Sequence, residues 1–115
     1  MKKLFKIDNK TIDGEKRVFV IAEIGINHQG NFNKCKKLIK AASICGADAA
    51  KIQLVNVHES YDEKTKSFKE FIKKDFSDLQ LTKLKKYAKK HKILFFATPG
   101  DISSLRRLIK LRFEE

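Results

Sequence analysis

Val18-Phe19-Val20-Ile21-Ala22 is an unbroken apolar run, and it opens straight into Glu23-Ile24-Gly25-Ile26-Asn27-His28-Gln29-Gly30. A short continuous apolar run suits a strand buried on both faces, as in a parallel sheet. The segment after it reads as a polar loop with two glycines. Whether the chain repeats this pattern decides its fold.

It does repeat. Phe32, Cys35, Leu38, Ile39 and Ala42 recur at helical spacing, while Lys34, Lys36, Lys37 and Lys40 take the other face. Asn31 or Asn33 can cap the start of this helix, and Gly46 can close its end in the left-handed conformation. Ala47 to Leu54 reads as the second strand, interrupted by Lys51 and Gln53. Val55 to Phe68 reads as a charged loop, and Phe68, Phe71 and Ile72 suggest a short helix. Ser77-Asp78-Leu79-Gln80 has the form of a capping box. Leu81, Leu84 and Ala88 then give a buried helix face, with Tyr87 and His91 at its margin. Ile93 to Ala97 reads as a third strand that runs into Thr98-Pro99-Gly100-Asp101, and Leu105, Leu108 and Ile109 begin a last helix. Upstream, Met1 to Lys16 is polar and mixed, with Asp13-Gly14 as a turn signal and room for a short strand or hairpin. Alternating strands and helices predict an α/β fold with a parallel sheet joined by right-handed crossovers. A small open sheet and a piece of a βα barrel both fit.

The chain has 115 residues, enough for one domain. With 42% hydrophobic and 35% charged residues it can form a core under a heavily charged surface. It has no apolar run of about 18 residues to span a membrane, and Met1-Lys2-Lys3 is not followed by a signal-peptide stretch. Cys35 and Cys45 are the only cysteines, without metal-ligand spacing, which predicts a reduced, cytoplasmic setting. The net charge of +12 fits nucleic acid, an anionic small-molecule substrate, or solvated helix faces. The cations are 22 Lys and only 4 Arg. Base readers and phosphate clamps favour the guanidinium fork, so the skew argues against nucleic acid and for solvated lysines.

In either architecture ligands bind at the carboxyl ends of the strands. Three polar clusters fall there: Glu23 with Asn27 and His28, Lys51 with Gln53, and Thr98 with Asp101. Each has a plain alternative. Glu23 can be a solvated loop acid, and Thr98 can cap the following turn. Lys51 interrupts an apolar strand, where a charge needs a partner, either an internal acid or an anionic ligand. His28 can bind metal, but a lone His is more often a loop donor. His58 and His91 read as surface residues, and the two cysteines as helix packing. Gly25 and Gly30 are too far apart for a dinucleotide fingerprint, and no phosphate-cradling Gly-x-x-x-x-Gly-Lys-Ser/Thr is present.

Three of these segments resemble one family. Phe19 to Gly30 is similar to the opening motif of the N-acetylneuraminate (sialic acid) synthases. Ala41-Ala42 with Gly46-Ala47-Asp48-Ala49-Ala50-Lys51-Ile52-Gln53 resembles that family's second strand, and Ile93-Leu94-Phe95-Phe96-Ala97-Thr98-Pro99 its third. The resemblance covers about Arg17 to Leu111. It implies a TIM-barrel type βα fold, of which residues 1–115 would be the N-terminal portion, truncated after about three βα units. The rest of the barrel and a small antifreeze-like domain would be absent, since a whole barrel takes about 250 residues.

The resemblance also implies a chemistry. Phosphoenolpyruvate condenses with N-acetylmannosamine or a related N-acylated amino sugar, releasing phosphate and giving a 2-keto acid, a step in sialic acid biosynthesis. A divalent metal, manganese or magnesium, would polarise the sugar aldehyde, with its ligands outside this chain. By position, Lys51 and Thr98 would bind phosphoenolpyruvate, Glu23 would be the catalytic carboxylate beside the sugar aldehyde, and Gln53 would contact the sugar. Asn27 and His28 would shape the loop behind the residues that touch the substrates. There are departures. Val55 to Phe68 is shorter than the usual family loop, and Gly100 stands where Phe is common. On this reading the chain alone is inactive as a synthase, and a complementary barrel fragment or a homo-oligomer is its expected partner. A basic nucleic-acid-binding module is the remaining alternative, disfavoured by the few arginines.

Overall fold

A computed structural model of the chain describes residues 5–15 and 17–113. Met1-Lys2-Lys3, read for targeting, lie outside the described residues, as do Leu4, Lys16, Glu114 and Glu115. The chain enters through a hairpin in which β1 (Phe5–Ile7) pairs antiparallel with β2 (Lys10–Ile12). Its turn is Asp8-Asn9, with Asp8 at φ 53°, a left-handed conformation that Asp tolerates better than most residues. After β2, Gly14 and Glu15 form a separate bend in which the Asp13 carboxylate accepts the Glu15 N–H.

The elements that follow are β3 (Ile21–Gly25), α1 (Phe32–Ile44), β4 (Ala49–Leu54), α2 (Val57–Ser60), α3 (Lys66–Phe71), a 3-10 turn over Ile72–Lys74, α4 (Asp78–Lys90), β5 (Leu94–Pro99) and α5 (Ile102–Lys110). The strands form one parallel sheet in the order β3-β4-β5. Parallel neighbours require a crossover, and α1 and α4 lie in the two connections. The result is a mixed α/β fold. Among the described residues its sheet is open, with three strands, and no barrel closes.

Local chemistry sets the helix ends. The Asn31 side chain accepts from the Lys34 N–H at the start of α1, and Ser77 with Gln80 completes the capping box of α4. The ends of α1, α4 and α5 are built in one way. Gly46, Lys92 and Arg112 have φ of 84°, 57° and 56°. After each, Ala47, Ile93 and Phe113 donate an N–H to the carbonyls of Ala42, Ala88 and Leu108. This is the hydrogen bond of a Schellman end, and the first two of these turns lead into β4 and β5.

Strand alternation divides the sheet into two faces. Ile24, Ala50, Ile52, Leu54 and Phe95 form one core with Cys35 and Ile39 of α1, Leu81, Leu84 and Ala88 of α4, and Leu108 and Phe113. The opposite face is formed by Ile21 and Glu23, by Ala49, Lys51 and Gln53, and by Leu94, Phe96 and Thr98. All of these except Ala49 are exposed or half-buried.

Three expectations need correction. The apolar run Val18 to Ala22 is not a strand buried on both faces. The strand begins three residues later, and Val18 is 80% exposed. Val20 sits at the entry to the sheet, where its carbonyl accepts from the Asp48 and Ala49 N–H groups. Beyond it β3 is an edge strand with one open face, so an apolar run there does not imply burial. Val55 to Phe68 is not all loop: Asn56 caps α2 by accepting from the His58 N–H, and Thr65 caps α3 by accepting from the Phe68 N–H. On α5 the buried residues are Ser104 and Leu108, while Ile109 is largely exposed.

Candidate functional site

The parallel register decides which polar residues meet. Glu23 stands opposite Lys51, and Gln53 stands opposite Thr98. Because Lys51 and Gln53 are two apart on β4, all four point from the open face, toward the carboxyl ends of their strands. The Lys51 ammonium lies 2.7 Å from a Glu23 carboxylate oxygen, with side-chain exposures of 29% and 50%. Lys51 therefore has an internal acid partner, one of the two arrangements its sequence position allowed. A half-exposed pair of this kind contributes only about 0–1 kcal/mol to stability. Gln53 and Thr98 are exposed on the same face. Gln53 also borders a small recess with Ile26, Val55, Val57, Phe71, Lys74 and Asp75.

The other sequence candidates lie elsewhere. Asn27 is exposed in the β3–α1 loop. His28 is 1% exposed, with its ring 4.5 Å from that of Phe76. It is not a loop donor: its Nδ1 accepts the Gly30 N–H at 2.9 Å, and its Nε2 is buried without a hydrogen-bond partner among the described residues. Burial, reinforced by the Lys74 charge, lowers its pKa to about 4, with Asp75 opposing the shift. A neutral ring holding the loop's shape follows. Asp101 is the cap of α5. Its carboxylate accepts from the Ser104 N–H at 2.7 Å and the Asn56 N–H at 2.6 Å. Burial alone would raise its pKa, but these hydrogen bonds outweigh it and the pKa falls. Thr98 is thus not the cap of that turn. His58 is exposed, whereas His91 is half-buried against Tyr87. Burial pushes the Cys35 thiol up to about 12, which leaves no thiolate for chemistry. Among the described residues no three His, Cys, Asp or Glu side chains gather into a group able to hold a metal ion.

One organising residue was missed in the sequence. Asp48, at the amino end of β4, is 2% exposed and accepts from Lys10 Nζ at 2.5 Å, Arg17 at 2.7 Å and the Val20 N–H at 2.8 Å. The Lys10 hydrogen bond, then that of Val20, holds its carboxyl below the usual range against the effect of burial. It ties the entry hairpin to the floor of the sheet, opposite the end where Lys51 and Gln53 stand. Its signal was an acid placed directly before an apolar strand.

Comparison with known proteins supplies a family. The model of the NeuB family matches residues 38–115. The N,N'-diacetyllegionaminic acid synthase of Campylobacter jejuni is 34% identical over 110 residues, covering 84% of this chain and 33% of that protein. The human N-acetylneuraminate-9-phosphate synthase is 32% identical over 113 residues, covering 87% and 32%. In structure, the N-acetylneuraminic acid synthetase of Leptospira borgpetersenii, solved in complex with citrate, superposes with a TM-score of 0.88 at 33% identity. That match takes in 96% of this chain and 39% of the other. The chain spans about a third of the length of the curated relatives it matches. No helix among the described residues is long and apolar enough to cross a membrane.

Proposed function

The chain belongs to the NeuB family, and from that premise we propose that residues 1–115 form the N-terminal portion of a nonulosonic acid synthase barrel. The reaction would join phosphoenolpyruvate to N-acetylmannosamine or a related amino sugar, in sialic acid biosynthesis. The observation that carries this reading is the convergence of Glu23, Lys51, Gln53 and Thr98 on one open sheet face at the carboxyl ends of three parallel strands. The equivalent Schellman ends of α1, α4 and α5, two of which lead into the next strand, support a βα repeat.

Each residue has a task suited to its chemistry. The Lys51 ammonium holds an anionic group of phosphoenolpyruvate, and the Thr98 hydroxyl donates to the same ligand. Glu23 lies on the sugar side, where its carboxylate orients the aldehyde that the enolpyruvate methylene carbon attacks. Gln53 offers an amide donor and acceptor to the amino sugar. Water then adds at the cationic carbon and phosphate leaves. Family resemblance implies a divalent metal in this chemistry. The described residues do not fit one, because no ligand group is assembled among them.

A chimaera tests the reading. Residues 1–113 replace the corresponding segment of the Leptospira borgpetersenii synthetase, and phosphate release from phosphoenolpyruvate with N-acetylmannosamine is followed. Turnover that depends on Lys51 and Glu23 supports the proposal. A folded chimaera whose turnover is indifferent to both contradicts it.

A further inference from the structure

Lys51 and Glu23 would serve different ligands in the proposed reaction, yet they bind each other. Lys51 Nζ and the Glu23 carboxylate are 2.7 Å apart, at opposed register positions of neighbouring strands. Glu23 is the only carboxylate within 4.0 Å of the Lys51 ammonium among the described residues. The pair is half-exposed and stabilises the fold little, so its presence on this face calls for a reason other than stability. Nor is the carboxylate boxed in. Its side chain is 50% exposed, and even a Cβ built on Gly25 would stand 3.7 Å from Glu23 Oε1, an ordinary contact.

We propose that Glu23 is a resident counter-ion which an incoming anion must displace from Lys51, so that phosphoenolpyruvate binding releases Glu23 to the amino sugar. The proposal rests on the functional reading above and adds an order to it: the anion enters first, and the carboxylate becomes available second. The exchange is electrostatically balanced. Lys51 trades one carboxylate for another or for a phosphate oxygen, while Glu23 swings clear into solvent or onto a sugar hydroxyl. In its absence the same ion pair keeps the open face from presenting a bare cation to other anions.

This predicts an unusual sign. Removing Glu23, a residue of the site, strengthens the binding of phosphoenolpyruvate. The test is calorimetric titration of the 115-residue chain with phosphoenolpyruvate, for wild type, Glu23→Gln, Glu23→Ala and Lys51→Met, with Lys86→Met as a control for general attraction by the basic surface. Circular dichroism melts establish that each variant is folded. Both Glu23 variants should bind about two- to five-fold more tightly, the fold-change expected when a competing half-exposed ion pair is removed. Lys51→Met should bind at least ten-fold more weakly, and Lys86→Met should match wild type. Binding by the Glu23 variants with none by wild type also supports the proposal. If wild type binds, Lys51→Met does not, and both Glu23 variants bind no better than wild type, the displacement idea is overturned while the anion site stands. If Lys51→Met binds like wild type, or nothing binds, the site itself is wrong and the proposal falls with it.

Discussion

A Cβ atom built on Gly30 would stand 2.0 Å from the carbonyl oxygen of Lys73. The loop after β3 therefore lies directly against the backbone of the 3-10 turn before α4, and only a residue without a side chain permits it. Gly30 also has φ of 71° and donates its N–H to His28, so one residue fixes both the loop and its buried histidine. Gly30→Ala should cost about 3 kcal/mol or more, at the upper end for a single substitution. Gly14→Ala, with similar φ but nothing within 4 Å, should cost about 1–2 kcal/mol, the left-handed penalty alone. Urea unfolding of both variants checks this; equal losses would show that the contact with Lys73 is not what demands the glycine.

Asp48→Ala should destabilise the chain by about 1–3 kcal/mol, chiefly because the Val20 N–H loses its acceptor, while Lys10 and Arg17, 33% and 63% exposed, lose a shared partner but can return to solvent. Lys10→Met should cost less, since Asp48 keeps its other partners. The comparison is a pair of melts at pH 7. An Asp48→Ala variant as stable as wild type would mean that the hairpin is held by packing instead.

Acid should loosen the fold before carboxylates titrate. The folded pKa of His28 is near 4 against an ordinary 6.5. Between these values the unfolded chain binds the proton and the folded chain does not. The contribution is fully present above pH 6.5, drains as pH falls toward 4, and reaches roughly 3 kcal/mol. The lowered pKa of Asp48 works in the same direction and takes effect lower, as pH falls through the carboxylate range. Melting temperatures of wild type and His28→Asn at pH 7.0, 5.5 and 4.5 separate the two. The asparagine can still accept from Gly30, so its Tm should fall less between pH 7.0 and 4.5. Parallel profiles would remove His28 from the account.

Much of this was legible in the residues. The apolar stripes of α1 and α4, the Ser77–Gln80 box and Gly46 each carry a local signal that tertiary structure does not override, and β4 and β5 fall within two residues of their apolar runs. β3 did not, because an apolar run reports hydrophobicity and not where the ladder starts; Asp48 and the pairing with β4 decide that. α2 was missed because its four residues have no period to read, only a capping Asn56. The face shared by Glu23, Lys51, Gln53 and Thr98 follows from alternation once the register is known. Their contact does not, since Glu23 and Lys51 come from different strands and only the parallel register brings them together. His28 looked like a loop residue because its burial depends on Phe76, far along the chain.

The open sheet should make the chain associate. Val18, Val20 and Ile21 are 80%, 50% and 44% exposed, and β5 is a sheet edge among the described residues. Unpaired edges and apolar surface favour self-association. Sedimentation velocity from about 5 to 200 μM should show weight-average mass rising with concentration, and Val18→Lys with Ile21→Lys should suppress the rise. A constant monomer mass across that range would contradict this.

The central claim is that the open face at the strand ends, and not the lysine-rich surface in general, receives the anionic substrate. Phosphoenolpyruvate titration followed by 1H–15N correlation spectra tests it most directly. The chain also offers a second basic region, the 660 Å³ groove bordered by Lys85, Lys86, Lys89 and Lys92, which would compete for any anion attracted by charge alone. The account predicts saturable shifts concentrated at the amides of Glu23, Lys51, Gln53 and Thr98. Shifts concentrated at Lys86, Lys89 and Lys92, with the strand ends unmoved, would contradict it.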